Sequence, residues 1–339
     1  MVEMLNPTIN SRVLDPACGS GGFIVMVLDH VRKQITKNMF PELEGALLEA
    51  KANSDAVNVK VKEYAENMIF GFDFDPDLKK AAKMNMVMAG DGHSNIYNIN
   101  SLEYPNGTLP DVDKVSESVA NSVKHKGDID ECDSAYSLDN AMGKFDCIFT
   151  NPPFGSKVEV ASTISACYEL KSFTAPEVLF IEQCYNFLKP GGKMGIVLPD
   201  GILGNPNTEP VRKWILEHFK LLASIDLPVE TFLPQVGVQA SLLFLQKKTA
   251  LERLVDPNSE IYDVFMAIAE KVGKDRRGNV IYERDDDGAE LLFVEKKEWA
   301  SYNHNGELIA RHRTERVKHV DDDLPKISTA YKKFLEGKL

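Results

Sequence analysis

Four adjacent residues, Asn151-Pro152-Pro153-Phe154, have the types and order to do chemistry together. They close the apolar run Phe145–Thr150, so they stand at the end of a predicted strand, where the ligand crevice of a doubly wound sheet opens. An amine on an aromatic ring is a poor nucleophile because its lone pair is delocalised into the ring. The Asn151 side-chain oxygen and the Pro152 carbonyl can each accept one amino hydrogen, which orients the nitrogen and favours its tetrahedral form. The two prolines restrict the backbone that carries these acceptors. Phe154 offers a stacking face for a base turned out of a helix. Asn151, Pro152, Pro153 and Phe154 are therefore the expected catalytic set. The alternative is a proline-rich turn at a strand end without chemistry.

A second constellation lies near the N-terminus. The strand-like Arg12–Asp15 runs into Pro16-Ala17-Cys18-Gly19-Ser20-Gly21-Gly22-Phe23, and a helical pattern follows from Ile24 to about Thr36. The glycines let the backbone pass close to a ligand, and the helix N-terminus presents unpaired N–H groups. A dinucleotide site calls for Gly-x-Gly-x-x-Gly without an Asp before the turn; the spacing here suits the amino and carboxylate end of an amino acid. A second apolar strand, Met68–Asp73, ends in an acid. Asp73 can accept hydrogen bonds from both hydroxyls of a ribose, with Phe74 packed on a purine face. Alternatively, Asp73, Asp75 and Asp77 cap the helix that begins at Pro76.

Other chemistries lack their residues. Attack on a ring carbon of cytosine needs a thiolate, and no proline here is followed by cysteine. The five cysteines include no Cys-x-x-Cys pair, and the seven histidines show no metal-like spacing, so neither a zinc site nor a disulfide framework is expected. The N-terminus has no secretory pattern and no apolar run is long enough to span a bilayer, which places the chain in the cytoplasm without a membrane contact. The formal net charge is −12. Unaided DNA binding draws on a basic surface, so the acidic balance implies either a small basic cleft or a partner that supplies one. It is also compatible with a role in solubility alone.

The remaining pattern supplies the frame. Pro76 sits where a helix accepts proline, ahead of Leu78, Ala82 and Met86 on one face, and Asn95–Asn100 is a weaker strand. Residues 105–144, rich in Asp, Ser, Gly and Asn, read as an insertion or mobile loop. A helix begins near Pro176, keeps Val178, Ile181, Tyr185 and Leu188 on one side, and stops at Lys189-Pro190-Gly191-Gly192. The strand Gly195–Leu198, a helix around Val211, Ile215 and Phe219, and the strands Leu222–Leu227 and Ala240–Gln246 follow. Alternation of strands and helices predicts an α/β, doubly wound, mostly parallel seven-stranded sheet with an antiparallel final hairpin. The expected units are a catalytic domain over 1–250, a β-meander over 251–297 and a charged helical tail over 298–339.

The segments Asp15–Phe23, Phe70–Asp77, Phe145–Gly155, Phe187–Leu203 and Thr231–Lys247, in that order, resemble the modification subunit of type I restriction-modification systems within the N6-adenine DNA methylases. The stretch Phe265–Tyr282 is similar to sequence in such subunits as well. The resemblance implies a class I, Rossmann-like methyltransferase that moves a methyl group from S-adenosyl-L-methionine to the exocyclic N6 amino group of an adenine flipped out of duplex DNA. It implies cofactor contacts from Asp15, Ala17, Gly19, Gly21, Gly22 and Phe23 at the methionine end, with Asp73 and Phe74 beyond them. It further implies Asn100 and Ser101 from the third motif, where Asn100 replaces the family's Asp. A separate specificity subunit would read the DNA target, and a restriction subunit would join the same complex. Family members also carry a helical N-terminal domain and a Phe-Thr-Pro-like motif before the first strand, which this sequence is expected to lack. Other readings are an rRNA guanine-N2 methyltransferase, a protein glutamine methyltransferase and a non-catalytic assembly module.

Overall fold

A computed structural model describes residues 1–90, 95–98, 100–103, 143–155, 162–166, 168–254 and 261–338. Its largest element is a sheet of eight strands among the described residues, in the order β3-β2-β1-β4-β5-β7-β6-β8. The strands are β1 (Val13–Asp15), β2 (Ile69–Asp73), β3 (Asn95–Asn98), β4 (Phe145–Thr150), β5 (Leu188–Pro199), β6 (Phe219–Leu227), β7 (Ala240–Lys247) and β8 (Phe265–Ile268). Pairing is parallel from β3 through β5, and β7 runs antiparallel between β5 and β6. The doubly wound α/β class and the antiparallel finish are as the sequence predicts.

Successive residues of β1 serve opposite layers. Val13 packs with the helices Gly22–Met39 and Asp55–Met68, whereas Leu14 packs with the helices Pro176–Phe187 and Glu209–His218. That alternation is the period of a strand buried on both faces. From β1 the chain winds outward through β2 to β3, then returns to place β4 on the other side of β1. The order therefore reverses between β1 and β4, and a crevice opens at their carboxyl ends.

Two parts of the C-terminal region differ from the sequence reading. The sheet has an eighth strand, because β8 pairs in parallel with β6 at register Ala223↔Phe265 to Asp226↔Ile268. Phe265 is held there by Tyr331 of the helix Leu324–Leu335, with ring centroids 5.3 Å apart. Over the stretch read as a meander, β8 is followed by two antiparallel turns closed by the bridges Lys274↔Val280 and Arg284↔Glu290. The tail is not helical throughout either. β9 (Phe293–Tyr302) and β10 (Leu308–Val317) form a separate antiparallel ribbon, followed by the helix Leu324–Leu335. The ribbon turns at Asn303, whose Oδ1 accepts the N–H groups of Asn305 and Glu307 at 2.9 Å each. Such a local acceptor competes with helix formation, and Gly306 completes the turn at φ +77°. The insertion expected over 105–144 lies outside the described residues except for Gly143 and Lys144.

The two adjacent glycines that open the helix Gly22–Met39 have different tasks. Gly21 has φ +86°, and a Cβ there would stand 3.2 Å from Ala82 Cβ and 3.3 Å from Ala82 Cα. Gly22 is exposed, and a Cβ there would meet nothing within 4 Å. Gly21→Ala should therefore destabilise the protein by about 1–3 kcal/mol. Gly22→Ala should be neutral or gain up to about 1 kcal/mol through the unfolded chain. Urea midpoints measured for the two variants should separate in that order.

Candidate active site

The glycine turn is stitched to the end of β2. The Cys18 N–H donates to the Phe72 carbonyl at 2.9 Å, and Gly21 N–H donates to the Cys18 carbonyl at 2.7 Å. Gly19 N–H donates to Asp73 Oδ2 at 2.8 Å, and Asp75 N–H donates to Asp73 Oδ1 at 2.8 Å. The helix Pro76–Met88 is capped by Asp75, whose Oδ1 accepts from Asp77 and Leu78, while Asp77 pairs with Lys80 at 2.9 Å. Asp73 is therefore not the cap. It is 6% exposed and lies on the cleft.

The third segment is tied to the first two. Asn98 Nδ2 donates to the Asp73 and Phe74 carbonyls at 2.9 and 2.8 Å. The buried Ser101 hydroxyl donates to the Pro16 carbonyl at 2.6 Å. Asn100 Oδ1 accepts the Leu102 N–H at 3.2 Å. Behind this turn, Tyr168 OH donates to the Leu102 carbonyl at 2.8 Å and packs with Leu179 and Phe180 of the helix Pro176–Phe187.

These bonds shape a cleft of roughly 190 Å³ at the reversal point. Its walls bring together Ala17, Gly19, Asp73, Phe74, Asn100, Ser101, Asn151 and Pro153, eight of the residues expected from the sequence. Pro16, Leu78, Leu102 and Phe180 complete it and are absent from the sequence-based expectation. Leu78 could have been inferred from its place one turn into the helix after Asp73; Phe180 leaves no such signal. Phe74 and Leu78 are 56% and 41% exposed, an apolar pair at the mouth.

Six expected residues do not line the cleft. Gly21 faces Ala82, and Gly22 starts its helix on the surface. Phe23 stacks on Phe149 of β4, centroids 6.2 Å apart. Pro152 is buried, and Phe154 is half-buried edge-to-face against Phe232, centroids 6.0 Å apart. Asp15 is 1% exposed beneath the turn, where its Oδ1 accepts the Ala17 N–H at 3.1 Å. Burial pushes its carboxyl up to about 8, and repulsion from Asp73 adds to this against the opposing Ala17 hydrogen bond. After Phe154, the Gly155 N–H donates to the buried Glu177 carboxylate at 3.3 Å.

A parallel sheet that reverses between β1 and β4, with a glycine turn, a strand-end acid and an Asn-Pro-Pro-Phe turn on one crevice, defines a class I S-adenosylmethionine-dependent methyltransferase fold. Residues 1–321 match the N-6 DNA Methylase family, and the chain belongs to it. It is similar to the methylase subunit of the type I restriction enzyme EcoEI from Escherichia coli, 23% identical over 248 residues, covering 73% of this chain and 40% of that protein. The methylase subunit of the type I restriction enzyme StySPI from Salmonella potsdam is 24% identical over 264 residues, covering 76% and 40%. In fold, the chain resembles a modification subunit assigned to a type I restriction enzyme from Vibrio vulnificus YJ016, with a TM-score of 0.51 and 20% identity over 91% of this chain and 56% of the other. The chain spans about 40% of the length of these two curated relatives. Among the described residues, no helix is long and apolar enough to cross a membrane.

The Asp15 carboxyl gives a pH dependence of stability. Its pKa is about 8 in the fold and about 3.9 in an unfolded chain, so between those pH values the native state holds the extra proton. Its contribution is fully present below about pH 4, falls by at most about 1.4 kcal/mol per pH unit, and is gone above about pH 8. Asp15→Asn keeps the acceptor for Ala17 and cannot ionise. The stability difference between wild type and this variant, followed by urea midpoints, should shift steadily towards the variant as pH rises from 5 to 8. Parallel pH profiles for the two proteins would contradict the assignment.

Proposed function

We propose that this chain is the catalytic core of a modification subunit that transfers a methyl group from S-adenosyl-L-methionine to the N6 amino group of adenine in DNA. The observation that carries this reading is the single cleft shared by the glycine turn, Asp73 and Asn151. The residues present fit the cofactor. Both Asp73 oxygens already accept backbone N–H groups, but each keeps a second lone-pair direction for a ribose hydroxyl. Phe74 and Leu78 provide apolar surface for the adenine ring, Asn100 and Ser101 lie beside it, and Ala17 and Gly19 leave room for the methionine end. When bound, the cofactor supplies an electrophilic sulfonium methyl.

The other residues act on the target. Asn151 is exposed at the cleft, so its Oδ1 can accept an amino hydrogen from a base that has left the duplex. The Pro152 carbonyl takes the second hydrogen, and the nitrogen is held toward the methyl donor. Phe154, braced by Phe232, is the stacking surface in this reading. A specificity subunit reads the DNA sequence and a restriction subunit completes the complex, which agrees with the formal charge of −12. Family membership weighs against the rRNA and glutamine alternatives. A non-catalytic assembly module would not need an open, exposed Asn151.

Two variants test the site in the assembled enzyme. Asn151→Ala should lower methyl transfer by roughly a hundredfold or more while cofactor affinity stays within about twofold, since its acceptor serves the target amine. Retention of near wild-type transfer would refute the role. Asp73→Asn keeps an acceptor but removes the charge, and should weaken S-adenosyl-L-methionine binding by about tenfold or more. Isothermal titration reads this directly, and an unaltered dissociation constant would remove Asp73 from the cofactor site.

A further inference from the structure

The chain is acidic in sum, yet three cations stand together in the turn after β8: Lys274, Arg276 and Arg277. Their position follows from the sheet. β4, β5, β6 and β8 all point the same way, since β7 is antiparallel to both β5 and β6 and β8 is parallel to β6. The segment leaving β8 therefore emerges on the edge that holds Asn151. It is joined to the Asn-Pro-Pro-Phe turn by one intervening loop. Phe154 meets Phe232, the Lys274 ammonium donates to the Leu233 carbonyl at 3.2 Å, and a Cβ on Gly278 would touch Pro234 Cδ at 3.7 Å.

The turn is built to hold its own anion inward. Asp275 Oδ1 accepts the Arg277 and Asn279 N–H groups at 2.8 Å each, and Oδ2 accepts Asn279 Nδ2 at 2.9 Å. Those bonds hold the Asp275 carboxyl below the usual carboxylate range. The neighbouring groove of roughly 290 Å³ contains three further carboxylates, two of them paired, Glu230 with Arg276 at 3.0 Å and Asp321 with Lys271 at 2.8 Å; Glu270 is the third. Arg277 is exposed and has no ion pair with the described residues, and the Arg276 side chain is 76% exposed despite its partner. The ribbon β9–β10 also carries cations: Lys296, Lys297 and Arg313 are matched by Glu298 and Glu315 on the same ribbon, whereas Arg311 and Arg316 have no ion pair among the described residues.

We propose that the Lys274–Arg277 turn is a phosphate clamp, which grips the DNA backbone next to the nucleotide presented to Asn151. The proposal rests on the DNA-methyltransferase reading and adds the surface through which this chain itself holds the duplex. A duplex that delivers a base to the cleft must lie over the carboxyl edge of the sheet, and this turn puts guanidinium groups there. Arginine suits the task because its planar fork binds phosphate oxygens in pairs. Contacts to phosphate position the duplex and carry no sequence information, which leaves target reading to a partner.

The test uses the enzyme as purified with its natural partners, a target duplex and a duplex of unrelated sequence. The Arg276→Gln/Arg277→Gln double variant should weaken binding to both duplexes alike. The slope of log affinity against log salt should become shallower by about 0.9 for each phosphate that is no longer neutralised. Lys333→Gln, a charge removed from the helix Leu324–Leu335, should leave the slope unchanged. S-adenosyl-L-methionine binding by calorimetry should match wild type, showing that the fold survives. An unchanged salt slope in the double variant overturns the clamp. So does loss of a co-purifying subunit at constant slope, which would make the turn a protein-docking site. If the slope shifts but the wild-type enzyme transfers no methyl group to DNA, the clamp stands and the catalytic reading fails; methyl transfer with an unmoved slope is the reverse case.

Discussion

A carboxylate that is 6% exposed has to find donors, and Asp73 finds two backbone N–H groups, Gly19 on one side and Asp75 on the other. Hydrogen bonds to a charged acceptor are worth about 1.5–3 kcal/mol each, enough to set the path of two loops. The first bond holds the glycine turn against the end of β2, and the second aims the chain into the helix Pro76–Met88. Asn98 reads the same strand end through the Asp73 and Phe74 carbonyls, so the third segment is placed by the neighbours of that carboxylate. Ser101 then closes the circuit on the Pro16 carbonyl. Three segments far apart in sequence thus share one rim, with β4 bringing Asn151 to its open side.

Two aspartates at the ends of adjacent strands have opposite electrostatic tasks. Asp15 sits lower, with one backbone donor and little solvent, and burial raises its carboxyl to about 8. Near neutral pH it is mostly protonated. Protonated, it avoids placing a buried charge beside the Asp73 carboxyl. A conservative change at either position would alter that arrangement by different physics: hydration at Asp15, hydrogen-bond count and charge at Asp73.

The distal half of the chain shows how an edge strand is retained. β8 is short and has Met266 and Ile268 exposed on one face, so the strand pairing alone holds little apolar surface. The helix Leu324–Leu335 covers its other face, where Tyr331 and Phe334 meet Phe265 and Tyr331 also stacks on Phe244 of β7. That cover fixes the direction in which the chain leaves β8, and with it the placement of the cationic turn on the Asn151 edge.

The sequence by itself determined the sheet class, the position of the Asn-Pro-Pro-Phe turn at a strand end and eight of the cleft residues, because each of these is encoded over a few adjacent positions. Apolar runs ending in Asp15, Asp73 and Asn151 mark strand ends, and glycine or proline at fixed offsets marks the turns that follow. Only the tertiary structure decided which members of those turns face the ligand. Gly21, Phe23 and Phe154 belong to the right motifs but do not line the cleft, because they pack against Ala82, Phe149 and Phe232 from distant segments. The same reason hid Phe180, Leu102 and the eighth strand, and it misled the reading of the tail, where charge-rich composition suggested a helix. A local Asn303 turn and ten-residue cross-strand pairing made it a ribbon instead. Contacts between residues hundreds of positions apart, such as Lys332 with Glu3 at 3.0 Å, leave no local pattern from which they could be foreseen.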